Sequence, residues 1–508
     1  MPIRTEVWRS FYQDSVVLMQ LAVTLSERPG VRQATALMGT AANRELLATA
    51  GLASPGFEDA APGDLMLAID AETETAAESA LAAAKAFFDQ QRHAREASGR
   101  VRTRTLESAL RQFPDANLAL VSVPGAHATL EAMTALRHGL HVFLFSNNVP
   151  LEDEITLKRF AVSRRLLCMG PDCGTAYLNG LGLGFANVVP RGRVGCVAAS
   201  GTGLQAVASH VAQLGEGISH GIGVGGRDLS EAVGAPMTTL ALQLLAADPA
   251  TDVIVLISKP PAPRVMTALD GIIRMLPKPV VVCCLGTDSE GVVAGHRVDT
   301  LEAAAAAAVA LARGRPADVP TFTDPAAVRA RLASVAAREG RGPALLGLYT
   351  GGTLAHEASL LLESLLGPPA TGAAAHQVID LGADEFTVGR PHPMIDPSAR
   401  DARIRGAAPL VGVLLVDLVL GRAAHPDPAQ PLAAAIQDAR AAAARAGRTL
   451  AVVASVVGTE TDPQDLRAQI ATLQRAGVEV LPSNAQACRF AALLLRPELA
   501  KRLLPSAP

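Results

Sequence analysis

The sequence predicts an α/β protein built from doubly wound parallel sheets, and three observations lead there. Apolar runs of about six residues alternate with helical patterns along the chain, as expected of parallel strands covered by helices. A strand that ends in small residues and turns straight into an apolar helix occurs twice, at Arg193-Val-Gly-Cys-Val-Ala-Ala-Ser200-Gly201-Thr202-Gly203 and at Ala344-Leu-Leu-Gly-Leu-Tyr-Thr350-Gly351-Gly352-Thr353. The length, 508 residues, exceeds what one core accommodates, so two to four domains are expected.

The elements follow in order. Asn117-Leu-Ala-Leu-Val-Ser-Val-Pro124 reads as a strand, Ala126 to Arg137 as a helix and His141-Val-Phe-Leu-Phe145 as the next strand, a mononucleotide-type pattern assigned to a domain over residues 1–188. The second domain, 189–320, places strands near Val194–Ala199, Gly221–Val224, Val253–Ile257 and Val280–Cys284 and closes on the Ala-rich helix Leu301–Ala312. Gly314 to Pro320 and Arg338 to Pro343 have linker composition, and 321–342 is assigned as linker. The third domain, 343–508, places strands near Leu345–Tyr349, Val411–Leu415, Leu450–Val456 and Val478–Leu481, so the second and third domains read as structural cousins.

Composition excludes several classes. The net charge of −3 marks no nucleic-acid surface. No uninterrupted apolar run is long enough to cross a bilayer. The N-terminus carries Glu6 and lacks the apolar stretch and cleavage site of a signal peptide, so a cytoplasmic location is expected. Of the six cysteines, Cys168, Cys196, Cys283 and Cys284 lie in apolar strand-like runs, which suits reduced, buried thiols. No metal-ligand spacing occurs.

The doubled glycine motif carries the chemistry. A buried strand that turns directly into a helix aims free backbone N–H groups and the positive end of the helix dipole at one point, which favours an anion, most often phosphate. Tight turns in any doubly wound fold also require small residues, but two equivalent copies favour phosphate. Ser200, Gly201, Thr202 and Gly203, with Gly351, Gly352 and Thr353, are therefore the candidate phosphate-binding residues. No Walker Gly-Lys-Ser/Thr triplet is present. Gly221-Ile-Gly223-Val-Gly225-Gly226 has dinucleotide-fingerprint spacing, yet the next convincing helix waits for Pro236, so these glycines read better as letting a loop approach the phosphate site. Gly170-Pro-Asp172-Cys173-Gly174 follows a strand, where ligands commonly meet α/β sheets; the alternative is a turn with Cys173 as filler. Asp172, Cys173, Gly225 and Gly226 are the candidate substrate-binding residues. In Gly389-Arg-Pro391-His392-Pro393-Met-Ile-Asp396-Pro397 three prolines hold His392 and Asp396 in a rigid loop, making them candidate catalytic groups, against the alternative of a solvated surface loop. His296, in Ala294-Gly-His-Arg, reads as structural.

These residues resemble the succinyl-CoA synthetase (ADP-forming acyl-CoA ligase) superfamily, and more closely its FdrA-type branch. Gly170-Pro-Asp-Cys173 is similar to the Gly-Pro-Asn-Cys turn of the ligase α subunit, and Gly192-Arg-Val-Gly to Ser200-Gly-Thr to that subunit's phosphate-binding strand and helix. Gly221 to Gly226, then Asp248-Pro249 before the strand Asp252–Ile257, continue the match, while Tyr349-Thr-Gly-Gly-Thr353 resembles the corresponding β-subunit helix. Phe11-Tyr-Gln-Asp-Ser15, Met38-Gly-Thr-Ala-Ala-Asn43 and Pro391-His-Pro-Met-Ile-Asp-Pro397 resemble the FdrA type in particular. The resemblance implies three Rossmann- or flavodoxin-like domains, the first CoA-binding-like, arranged as an α subunit fused to the carboxyl-terminal β domain.

Two departures bear on function. The ligases phosphorylate a histidine in a Gly-His-Ala-Gly-Ala type loop, whereas this chain reads Gly286-Thr-Asp-Ser-Glu-Gly-Val-Val-Ala-Gly-His296-Arg, shorter and without the small residues after the histidine. No segment resembles their ATP-grasp domain, so a preformed acyl phosphate is the natural substrate. The resemblance to FdrA-type proteins implies an oxamate carbamoyltransferase subunit of allantoin breakdown, interconverting oxalurate and phosphate with oxamate and carbamoyl phosphate. Two other readings stand beside it: an acyl-CoA ligase subunit with an ATP-grasp partner, for which CoA would be the cofactor, and a non-catalytic CoA- or phosphate-binding regulatory subunit. Further enzyme subunits and a homodimer are the expected partners, with no nucleic acid or membrane.

Overall fold

The computed structural model describes residues 2–13, 15–97, 103–287, 294–317, 319–336, 342, 344–367, 376–387, 391–407 and 411–504. They fall into two units. The first comprises the chain up to Asp115 together with Asp384–Asp396; the second is Ala116–Ala383 and the residues from Pro397 onward.

In the first unit β1 (Ile3–Trp8), β2 (Val31–Met38) and β3 (Leu65–Ala71) form an antiparallel sheet in the order β1-β3-β2. The central strand β3 is buried on both faces, and the period-two alternation of strand side chains divides its residues between two clusters. Leu65, Leu67 and Ile69 join Leu21, Leu25 and Ala80, while Met66 and Ala68 join Leu47, Leu52 and Phe57. Trp8, Phe11 and Phe88 stack edge to face, with centroids 5.1 to 5.6 Å apart. Asp64 accepts from the amides of Ser10 at 2.7 Å and Ala61 at 2.9 Å and from Arg9 at 2.8 Å, and these donors hold its carboxyl below the ordinary range.

This differs from the Rossmann-type domain expected over 1–188, because the unit boundary falls at Asp115 and the strands pair antiparallel. Local apolar periodicity reports which faces are buried; it does not encode the direction in which distant strands pair.

The second unit contains parallel sheets covered by helices, so the α/β class holds. β4 (Leu118–Val121), β5 (His141–Leu144) and β6 (Cys168–Met169) form a small parallel sheet. A hairpin of β7 (Thr175–Leu178) and β8 (Leu181–Gly184) then extends a larger sheet made by β9 (Val194–Ala198), β10 (Ile218–Gly223), β11 (Val253–Ser258), β12 (Val280–Cys284) and β13 (His296–Arg297), in the order β13-β12-β11-β9-β10-β7-β8. The last sheet, β15-β14-β16-β17-β18, is parallel throughout: β14 (Leu345–Tyr349), β15 (Gln377–Asp380), β16 (Val413–Val419), β17 (Ala451–Val457) and β18 (Glu479–Leu481).

Residues assigned as linker are in part a docked helix, Pro325–Ala336. Pro325 begins it with its φ already set, Asp324 Oδ1 accepts from Ala327 N at 2.9 Å, and Phe322, Val328 and Val335 are buried. Arg331 donates to the Val480 carbonyl at 2.9 Å, fastening the helix to the third domain.

Candidate functional site

The two glycine motifs meet. Ser200 leaves β9 extended and caps the helix Gly201–Gln213, its Oγ accepting from Gly203 N at 2.9 Å. Gly352 opens the helix Gly352–Leu366. The Ser200 and Thr353 hydroxyls are hydrogen-bonded to each other, and Thr353 N approaches Thr202 Oγ1 at 3.4 Å. A Cβ added at Gly351 would lie 3.1 Å from Thr202 Cβ, and one at Gly203 3.2 Å from Thr353 Cγ2. Small residues are thus required because two helix ends close on each other, and all seven candidate phosphate-binding residues belong to this junction. Among the described residues, the amides of Gly201 and Thr202 have no hydrogen-bond partner.

The second helix start is furnished differently. Asp417 on β16, fully buried, accepts from Thr350 N at 2.7 Å, Gly351 N at 2.8 Å and Thr350 Oγ1 at 3.1 Å. Burial raises its carboxyl above the ordinary value, with Arg400 and these donors acting in the opposite direction. Arg400, itself 1% exposed, donates to the Asp417 carbonyl at 2.9 Å and lies 3.7 Å from its carboxylate. Asp380 also crowds this end, for a Cβ at Gly352 would meet its Oδ2 at 2.5 Å. Neither aspartate stands out in the sequence: Asp380 ends its strand, and Asp417 lies within the otherwise apolar strand Val413–Val419.

The candidate substrate-binding residues form an adjoining pair of loops. Asp172 has φ +57° and its amide donates to the Ser146 carbonyl at 3.0 Å. Gly225 has φ +84°, and a Cβ there would lie 2.6 Å from the Pro171 carbonyl oxygen, so the glycine loop rests on the Gly170–Cys173 turn. Gly226 faces open space. The turn in turn adjoins the first helix start, since a Cβ at Gly201 would meet Thr175 Oγ1 at 3.3 Å and Gly174 Cα at 3.8 Å. Cys173 is buried and hydrogen-bonds the Thr175 and Gly223 carbonyls at 3.5 Å, and burial pushes its thiol up to about 12, which leaves it protonated and unreactive.

A buried ion cluster missed at the sequence level holds the glycine loop. Lys158, 0% exposed, donates to the Val224 carbonyl at 2.9 Å, Asp228 at 2.9 Å and Glu154 at 2.7 Å. Burial acts to discharge it, but Asp228 and Glu154 outweigh burial and its pKa rises. Asp228 also accepts from Thr238 N at 2.9 Å at the start of the helix Pro236–Ala247, and Arg227 reaches Glu154 at 2.8 Å. The only local hint was the Glu154/Lys158 spacing of four along one helix.

His392 and Asp396 belong to the first unit, through the segment Asp384–Asp396, while the glycine helix starts belong to the second. His392 anchors a tight turn: its carbonyl accepts from Ile395 N at 2.7 Å and Asp396 N at 3.1 Å, and its Nδ1 accepts from Met394 N at 3.2 Å. That bond assigns the proton of the neutral ring to Nε2. Burial drives the imidazole down to about 4 and so opposes the imidazolium. His296 is exposed in the edge strand β13; part of the loop before it, 288–293, lies outside the described residues.

Comparison with known families gives two matches: residues 1–104 match AllF, heavy metal-associated domain, and residues 348–494 match CoA-ligase. Residues 1–104 contain no cysteine, and among the described residues no group of three or more His, Cys, Asp or Glu side chains could hold a metal ion. The donors present do not fit a heavy metal, which binds best to thiolates. The chain is 29% identical over 150 residues to the succinate–CoA ligase (ADP-forming) subunit alpha-2 of Trichomonas vaginalis, covering 28% of this chain and 47% of that protein. A solved ATP citrate lyase from Methanothrix soehngenii is 14% identical with a TM-score of 0.35, covering 80% of this chain and 86% of that one. The uncharacterized protein YahF of Escherichia coli (strain K12) is 38% identical over 509 residues, covering 95% of this chain and 97% of that protein. The chain belongs to the FdrA-type branch of the CoA-ligase superfamily.

Proposed function

We propose that this chain is a subunit of an enzyme that transfers a carbamoyl or acyl group to or from inorganic phosphate, and that the reaction is the interconversion of oxalurate and phosphate with oxamate and carbamoyl phosphate. The observation that supports it is the junction at Ser200 and Thr353, where the unpartnered amides of Gly201 and Thr202 begin a helix. Each such charge interaction contributes on the order of 0.3–1 kcal/mol at a surface and more when desolvated. In the phosphorolytic direction a phosphate oxygen attacks the carbamoyl carbon, the bond from that carbon to the oxamate nitrogen breaks, and that nitrogen takes up a proton. The helix start holds the phosphate and its developing charge. Asp172, Gly225 and Gly226 line the loops we assign to the acyl portion, with Cys173 packed beneath them. His392 is assigned as a catalytic group of this chain, and with its proton on Nε2 the neutral ring is a hydrogen-bond donor at that atom rather than a base. Asp396, in the same turn, is assigned beside it.

A second reading, an acyl-CoA ligase subunit working with an ATP-grasp partner, draws support from the CoA-ligase match over 348–494. Further subunits are part of both readings. The discriminating experiment screens thermal stabilisation by phosphate, carbamoyl phosphate, oxamate, CoA and ATP, followed by assay of phosphate-dependent oxamate release in the presence of candidate partner subunits. Stabilisation by carbamoyl phosphate with oxamate release supports the transferase; stabilisation by CoA alone, with acyl-dependent loss of free thiol, replaces it with the ligase.

A further inference from the structure

Further along the two helices that Ser200 and Thr353 join, a small cavity opens between them. Ala206 and His210 line it from Gly201–Gln213, Leu354 and Glu357 from Gly352–Leu366, and Glu302, Ser455 and Asn484 close it. It leaves about 10 Å³ for the centre of a water-sized occupant, which is room for one. Two buried polar atoms of this lining have no hydrogen-bond partner among the described residues: Oγ of Ser455, a residue of β17 that is 1% exposed, and Oε2 of Glu302. Buried polar atoms left unpaired are costly, so two of them on residues that line one cavity point to an occupant that pairs them.

We propose that the occupant is a single monovalent cation close to water in size, potassium or ammonium. The proposal is independent of the phosphate reading above. What the lining offers is mainly acceptors. Glu357, 1% exposed, accepts from Leu301 N and Asn484 Nδ2 at 2.8 Å each and keeps further lone pairs on both oxygens. Asn484 Nδ2 also donates to the Leu354 carbonyl at 3.0 Å, so its amide hydrogens are already used, while the Ser455 hydroxyl can accept as well as donate. The charges favour a cation as well. Burial, with the Glu302 charge adding to it, pushes the Glu357 carboxyl up to about 6 against Asn484, Leu301 and Arg489, so at neutral pH it is ionised. Two carboxylates then face one guanidinium, that of Arg489, 3.8 Å from Glu302 Oε2. His210 adds no positive charge, because burial lowers its pKa against Glu302 and Gln213. Among the described residues no three His, Cys, Asp or Glu side chains converge as a divalent or transition-metal centre requires, whereas carboxylate and hydroxyl oxygens suit a hard monovalent ion.

The test is thermal unfolding of the full chain in the chloride salts of potassium, ammonium, sodium, lithium and choline at one ionic strength, for wild type, Ser455→Ala and Glu302→Gln. Wild type is expected to melt about 2 °C or more higher in potassium or ammonium than in choline, the gain reaching a plateau as the ion is raised, and the larger gain identifies the preferred ion. Ser455→Ala removes one ligand, and Glu302→Gln keeps the shape while replacing the carboxylate by a neutral amide; each is expected to lose at least half of the gain. Potassium and ammonium giving no more than lithium or choline, or the full gain retained in both variants, overturns the inference. A crystal grown in rubidium, a heavier stand-in for potassium, checks it without any variant: anomalous density between Glu302 and Ser455 is expected, and water alone there overturns it.

Discussion

The hydroxyls of Ser200 and Thr353 are hydrogen-bonded to each other, each standing at the start of a helix that leaves a different sheet. That bond ties two distant motifs into one junction, and its consequences are measurable. Replacing Gly201 by Val puts branched carbon where Thr175 Oγ1 lies 3.3 Å and Gly174 Cα 3.8 Å from the Cβ position, covering the amides. Phosphate-dependent turnover is expected to disappear while the circular dichroism spectrum is retained; unchanged kinetics would refute the phosphate site. Thr353→Val keeps the shape and removes the brace, and should cost about 0.5–1.5 kcal/mol of stability in denaturant titration.

His296 is not expected to carry a phosphoryl group. It is exposed in the edge strand β13, paired in register with β12, and the residues that follow it, Arg297-Val-Asp299, are not the small ones that would let a phosphorylated ring swing between sites. Incubation of the isolated chain with γ-labelled ATP should leave it unlabelled, and acid-labile label mapped to His296 would reinstate the ligase reading.

His392→Ala is expected to lower turnover about 10²-fold or more, and an unchanged rate would refute its catalytic assignment. The same histidine gives a pH signature. Its folded pKa is depressed from 6.5 to about 4, so the unfolded chain takes up the proton first as the solution is acidified. Its contribution to stability is fully present above pH 6.5 and is lost as the pH falls from there towards 4. In His392→Gln the acid-side fall in melting temperature over that window should be shallower; an identical slope would show the ring to be solvated.

Glu357 gives the opposite sign. It is fully buried, accepts from Leu301 N and Asn484 Nδ2 at 2.8 Å each, and burial raises its carboxyl from 4.5 to about 6. The folded state therefore holds this proton more tightly than the unfolded chain, and the cost of ionising it is complete above about pH 6 and relieved as the pH falls to 4.5. The shift corresponds to about 2 kcal/mol. Glu357→Gln should remove that dependence, read as a flatter stability profile between pH 4.5 and 6.

The sequence by itself determined the strand, glycine turn and helix at both motifs, because those depend on local features: an apolar run, small residues at the turn and a capping Ser200. It also determined the class and the alternation of the second and third domains, since burial on both faces of a parallel strand leaves a continuous apolar run. Only the tertiary structure decided that the two helix starts close on each other, because Ser200 and Thr353 are brought together by sheet packing that no local pattern records. The antiparallel pairing of the first unit, the inclusion of the His392 segment in it and the buried Lys158 cluster have the same origin. Asp417 is the sharpest case: it reads as one polar residue in an apolar strand, and it becomes the internal ligand of Thr350 and Gly351 only when β16 is laid beside β14.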